Sequence, residues 1–240
     1  MAVTPRDRAR AETMREIVRI GREHLATAGP TALSLRAVAR DLGVVSSAVY
    51  RYVRNRDELL TLLVIDAYDS LGDAVDAAIA EVRGTGRDEF FAFGQEVREW
   101  ALREPASYAL LFGTPVPGYD APSERTTQPG TRVVVALMSI IERAHGRATA
   151  GSSSDDEADP QMPFDLENAP TSLSEDARRI RSEFALTMSA VWLIRGVLVW
   201  SELFGAVSFE VFGQYGRDTF TDTGALFELH LARFTDLLGL

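Results

Sequence analysis

Apolar residues recur three and four positions apart along almost the whole chain, and no stretch keeps the two-residue alternation of a half-buried strand. That regularity restricts the chain to packed helices, each hiding one stripe of side chains. Met14, Ile17, Ile20, Leu25 and Ala28 mark a first helix, which Gly29-Pro30 ends. Leu35 to Leu42 and Ser46 to Val53 read as two short helices separated by Gly43-Val44. Asn55 and Glu58 have capping-box spacing and open a long helix with a stripe from Leu59 to Val82, stopped by Gly84-Thr85-Gly86. Phe90 to Ala101 and a short element through Tyr108, Leu111 and Phe112 follow. A loop rich in proline and glycine, Gly113 to Gly130, then leads into a helix over Val133 to Ala144. Ile180 to Phe204 predicts one strongly apolar helix, Phe209 to Tyr215 a short element, and Phe220 to Leu238 a closing amphipathic helix. The fold class is all-α.

Composition removes several chemistries. At 240 residues, 46% apolar and 25% charged, the chain is an ordinary globular one. It has no cysteine, which excludes disulfides, thiolate metal sites and cysteine nucleophiles. The three histidines, His24, His145 and His230, stand far apart, so neither a multi-histidine metal centre nor a Ser-His-Asp constellation is expected. All 25 basic residues are arginine, which leaves no lysine for a Schiff base or a phosphate-binding loop. The longest uncharged stretch, Pro105 to Tyr119, is 15 residues and broken by proline and glycine, too short to span a bilayer. The N-terminus opens on charges without an apolar run behind them, so the expectation is a cytoplasmic protein with no membrane partner, no cofactor and no metal.

The net charge of −10 is unevenly spread. Residues 1–56 hold 11 arginines against five acids, while residues 57–240 hold 14 against 30. A basic head on an acidic body concentrates attraction for phosphate in the head. Thr149 to Asp176 has eight acids, no base, and clusters of serine and proline, the composition of a flexible acidic loop. Within it, Asp155-Asp156-Glu157-Ala158-Asp159 matches the magnesium-diphosphate motif of all-α prenyl enzymes. That chemistry needs acids on a rigid helical face with basic residues nearby, so the run is read as solvated loop.

The segment from Leu33 to Leu60 is the informative one. Leu35, Val38, Ala39 and Leu42 face inward, Ser34 is placed to cap the first short helix and Ser46 the second, and Gly43 supplies a turn where a side chain is expected to clash. Val49 and Val53 pack the second helix down, which leaves Ser47, Ala48, Tyr50, Arg51 and Tyr52 toward its outward and N-terminal side. In a helix-turn-helix those positions enter the major groove. The pattern Leu-Ser-Leu-Arg-x-Val-Ala-x-x-Leu-Gly-Val-x-x-x-Ala-Val-Tyr-x-Tyr-Val-x-Asn-Arg-x-x-Leu-Leu resembles the tetracycline-repressor (TetR/AcrR-type) family of transcription regulators. A looser likeness, through Glu104-Pro-x-x-Tyr108, Leu111 to Pro122, Trp192 and Gly196, is to the subgroup with a Trp-His-Gly motif in the ligand domain; this chain has Arg195 where that histidine stands.

The resemblance implies a helix-turn-helix DNA-binding domain over 1–56 and an effector-binding and dimerisation domain over 57–240, with 149–176 as a loop. It implies that Ser34, Tyr50 and Arg56 hold phosphates, and that Arg36, Ser46, Ala48, Arg51 and Tyr52 face bases, with Ser47 beside them. Arg6, Arg8 and Arg10, ahead of the first periodic residue, read either as a minor-groove arm or as a frayed terminus. In the body, the resemblance implies a small effector among Trp100, Tyr108, Phe112, Met138, Met188 and Trp192. Arg195 lies in an apolar stripe and must pair, either with an acid such as Glu202 or with the carboxylate or phosphate of an acidic effector. The apolar helices Ile180–Phe204 and Asp218–Leu238 are expected to form a homodimer. Two heads would then meet two half-sites of a pseudo-palindromic double-stranded operator, spaced about 34–36 Å or a multiple of that. The function expected is a ligand-responsive regulator, a repressor released by a small apolar or acidic effector. An effector-free DNA-binding accessory protein and, more remotely, a magnesium-dependent prenyl enzyme are the alternatives.

Overall fold

The computed structural model describes residues 4–145 and 171–240. Among them there are ten α-helices and no strand: α1 Pro5–Ala28, α2 Leu35–Asp41, α3 Ser46–Val49, α4 Arg56–Glu81, α5 Gly86–Arg103, α6 Pro105–Phe112, α7 Ser123–His145, α8 Thr171–Glu183, α9 Ala190–Val211 and α10 Thr223–Leu238, with a 3₁₀ turn at Pro30–Ala32. The chain falls into two compact units, Met1–Ala74 with Glu99–Arg132, and Val75–Arg98 with Val133–Leu240.

In the first unit, one apolar core takes Ile17, Ile20 and Leu25 from α1, Leu35 and Val38 from α2, and Val49 and Val53 from α3 and the turn after it. Leu59, Leu60 and Leu63 of α4 and Val116 complete it, and Ala106, Leu110 and Tyr119 pack against it. The Tyr119 hydroxyl lies 3.0 Å from Thr61 Oγ1. Two boundaries differ from the periodic reading. Helix α1 starts at Pro5, because Thr4 and Asp7 close a capping box ahead of a first-position proline. Arg6, Arg8 and Arg10 therefore ride on helix and not on an arm. Helix α7 starts at Ser123, inside the predicted loop: Arg125 and Thr126 already donate to Pro122 O at 3.0 and 3.1 Å. Pro129 then removes a single rung of an established helix.

The second unit buries Phe90, Phe93 and Val97 of α5, Leu137, Ile140 and Ile141 of α7, Val199, Leu203 and Val207 of α9, and Phe227, Leu231 and Phe234 of α10. The stretch predicted as one helix over Ile180–Phe204 is two. Helix α8 ends at Glu183, Ala185 takes φ +51°, and α9 begins at Ala190. Glu142 stabilises the break by accepting from Thr187 Oγ1 at 2.6 Å. Helix α9 then runs on to Val211, and the rest of the short element predicted over Phe209 to Tyr215 is turn. The acidic stretch expected to reach Asp176 becomes helix at Thr171; its earlier part, with Asp155 to Asp159, lies outside the described residues.

Partly buried between helices, Glu210 receives Arg98 Nε at 2.7 Å, Arg98 Nη2 at 2.6 Å and the Thr223 hydroxyl at 2.7 Å. Burial pushes the Glu210 carboxyl up, but these hydrogen bonds and the Arg98 charge outweigh it and hold it below its ordinary value. Among the described residues one helix, α9, is long and apolar enough to cross a membrane. It packs against α8 and α10 in this unit and carries the buried Arg195.

Candidate nucleic-acid interface

The head presents its polar side chains by sinking its apolar ones. Leu35, Val38 and Ala39 are buried, so Arg36 stands exposed on the other face of α2. Ser34 occupies the N-cap position half-buried, but its side chain makes no capping bond. Asp41 ties α2 to α1 by accepting from His24 Nε2 at 2.6 Å, and Arg40 Nε lies 3.0 Å from its other oxygen. Those two hydrogen bonds, His24 first, hold the Asp41 carboxyl below its usual range.

Gly43 turns the chain at φ +73°, and a Cβ built there meets nothing within 4 Å. The left-handed backbone therefore requires glycine, and the clash expected from sequence is absent. Val45, extended at φ −69° and ψ 145°, takes the N-cap position of α3, so Ser46 is the first helical residue and not the cap. Buried Val49 anchors α3, and the helix gives way to a turn at Tyr50–Tyr52.

Ser47, Tyr50 and Arg51 are exposed, Ser46 and Ala48 half-exposed. Tyr52 is half-buried against the head core, with the Arg10 guanidinium 5.1 Å from its ring centre. Arg56 is also partly withdrawn: its Nη2 donates to Pro30 O at 2.8 Å. Half of the expected capping box forms. Asn55 Oδ1 accepts from Glu58 N, while the Glu58 carboxylate turns to Arg54, accepting from its N at 2.8 Å and its Nε at 3.0 Å. Acids draw in Arg19, Arg22, Arg40 and Arg54. Among the described residues neither Arg36 nor Arg51 is drawn into an ion pair. Of the predicted DNA-facing residues, Arg36, Ser47, Tyr50 and Arg51 are exposed, Ser34, Ser46 and Ala48 half-exposed, and Tyr52 and Arg56 partly withdrawn.

The predicted effector residues are divided between the two units. In the first unit, Trp100 Nε1 donates to Ser70 Oγ at 3.0 Å, and Phe112 sits 5.0 Å from the Tyr108 ring and 6.3 Å from that of Tyr68. In the second, the Arg195 guanidinium lies 4.4 Å from the Trp192 ring centre, and His145 stacks on Trp192 at 3.6 Å and 10°. Met138 borders Gly196, where a Cβ would come within 2.8 Å of its sulfur, so a larger residue there would displace it. Met188 is buried in the same unit. Arg195 is buried while Glu202 is exposed. His145 and Tyr68, which pack against Trp192 and Phe112, were not among the effector residues the sequence reading named. A groove between α1 and α4, lined by Met14, Val18, Arg22, Leu62, Ile65 and Asp66, includes none of the predicted effector residues.

Comparison with known proteins agrees with this geometry. The sequence model of the "Tetracyclin repressor-like, C-terminal domain" family matches residues 90–234. The HTH-type transcriptional regulator Rv1816 of Mycobacterium tuberculosis is 46% identical over 221 residues, covering 92% of this chain and 89% of that protein. A counterpart in Mycobacterium bovis, Mb1846, matches to the same extent. The crystal structure of SCO4313, a protein assigned a regulatory role, superposes with a TM-score of 0.75 at 32% identity, over 99% of this chain and 100% of that one. The fold alone is shared with FadR of Bacillus subtilis, solved in complex with stearoyl-CoA, at a TM-score of 0.53 and 11% identity over 91% of this chain and 98% of that one. A helix-turn-helix head of this pattern, a matching C-terminal domain and near-full-length relatives lead to one statement: the chain belongs to the TetR family of helix-turn-helix transcriptional regulators, which are regulators and not enzymes.

Proposed function

We propose that this regulator is a cytoplasmic homodimeric repressor that reads a pseudo-palindromic operator and leaves it when a small effector binds. The observation that carries the DNA reading is the exposed set Arg36, Ser47, Tyr50 and Arg51, held outward by the burial of Leu35, Val38, Val49 and Val53. In this reading Arg36 and Arg51 meet base edges, joined by Ser46, Ser47, Ala48 and the exposed edge of Tyr52. Ser34, Tyr50 and Arg56 hold phosphates and set the register. Arg56 has a second duty, bracing the Pro30 carbonyl, so its removal also loosens the head.

The dimer reading rests on apolar surface left bare in the second unit: Val197 and Leu198 on α9 and Leu229 on α10, the last 69% exposed. The effector reading rests on Trp100, Tyr108 and Phe112 in the first unit and on Met138, Met188, Trp192 and Arg195 in the second. A carboxylate or phosphate would meet Arg195. A ligand shifts the operator equilibrium only by its difference in affinity for the two states.

Selection of bound duplexes from a random pool, followed by footprinting, tests the core of the proposal. Arg51→Ala should relax preference at one base pair per half-site, a loss of roughly 1–3 kcal/mol of discrimination. Tyr50→Phe should weaken all duplexes alike. Recovery of no preferred sequence would overturn the reading. Acidic and neutral metabolites can then be screened for release, and release that is indifferent to Arg195→Ala removes the acidic effector.

A further inference from the structure

The turn between α2 and α3 carries a side chain that neither the core nor the helix explains. Val45 is 71% exposed, with Val44 beside it at 41%, although the head buries Val38, Val49 and Val53. Val45 also holds the N-cap position of α3, where serine, threonine, asparagine or aspartate would accept a hydrogen bond from a first-turn amide and valine cannot. Two and six residues on, Ser47 and Arg51 are also exposed, on a head where 11 arginines are set against five acids.

We infer that Val45 is a specificity residue that reads a thymine, packing its two methyl groups against the C5-methyl in the operator's major groove. The inference rests on the DNA-binding reading above. Charge complementarity brings the duplex to this face, and the C5-methyl of thymine is the apolar group that a base edge displays in that groove. An isopropyl group has no donor or acceptor, so methyl contact is the one form of direct readout open to it. It separates thymine from cytosine, which offers an amino donor and no methyl. The contact takes nothing from the amides of the short helix; it is side chain against base.

The test uses the full-length protein and the duplex recovered by selection from a random pool. Each thymine is replaced in turn by deoxyuridine, which lacks only the methyl. Wild-type affinity should fall about fourfold at one position per half-site, the worth of one buried methyl group. Val45→Ser should lose about the same on the thymine duplex and become indifferent to uracil at that position. Arg51→Ala should keep the thymine–uracil ratio while losing preference at its own base pair. Thermal melting separates a folding effect, because serine restores a cap and the melting temperature of Val45→Ser should hold or rise. A wild type insensitive to uracil at every position overturns the inference and leaves the DNA reading standing, as does a Val45→Ser variant that keeps the full uracil penalty. Failure to recover any preferred duplex overturns both.

Discussion

In the second unit, the Arg98–Glu210 pair ties α5 to α9. Arg98 and Glu210 are only 16% and 12% exposed and meet through two short hydrogen bonds. Arg98→Met leaves a partly buried carboxylate without its counter-charge and should lower the unfolding free energy by about 1–3 kcal/mol, read by urea denaturation. Pairing it with Glu210→Leu should recover most of the loss, because the apolar pair leaves no charge to desolvate. His145 gives a pH dependence. Burial, followed by the nearby Arg195 charge, lowers its pKa below 6.5, against the opposing hydrogen bond that its Nε2 donates to Leu238 O at 2.7 Å. A depressed histidine pKa means that the unfolded chain takes up the proton first. Stability should therefore be full above pH 6.5 and decline as pH falls toward the folded pKa. Thermal melts from pH 7.5 downward should show that decline, and His145→Gln should flatten it.

At the level of elements, the turn between α2 and α3 makes a left-handed demand on the backbone of the head. Gly43→Ala meets no steric obstacle and pays only for the left-handed conformation, so it should cost about 1–2 kcal/mol in chemical denaturation. Asn at the same place should cost less. The helix-turn-helix was legible because its signals are local: Leu35, Val38 and Ala39 one helical face apart, a glycine at the turn, Asn55 and Glu58 at capping distance. The head's charge surplus was equally plain from counting. Elements fixed by distant partners were not legible. Nothing between Ile180 and Phe204 announces the break at Ala185, which depends on Glu142 reaching Thr187. The start of α7 was hidden because Pro129 and Gly130 read as loop, although the helix is already under way when it reaches them. Among site residues, Tyr52 looked outward by spacing and Arg56 was placed on phosphate by the family resemblance, yet the tyrosine packs on the core and the arginine braces Pro30.

For the whole molecule, the proposed dimer gives a direct measurement. A charge placed in a buried homodimer contact is expensive, so Leu198→Glu with Leu229→Glu should sediment at half the wild-type mass at micromolar concentration while keeping its helical circular dichroism. Operator affinity should fall with it, since one head cannot span two half-sites. Wild-type binding should weaken linearly with the logarithm of salt, each phosphate contact contributing about 0.9 to the slope, and Arg56→Ala should flatten that slope.

The shared core of Leu59, Leu60, Leu63 and Val116, with the Thr61–Tyr119 hydroxyl pair at its edge, also bears on biosensor engineering. A chimaera that transplants only the leading 56 residues onto a foreign receptor would expose a greasy underside and invite clumping. A graft that travels with the first two turns of α4 and the stretch from Ala106 to Tyr119 should stay monodisperse.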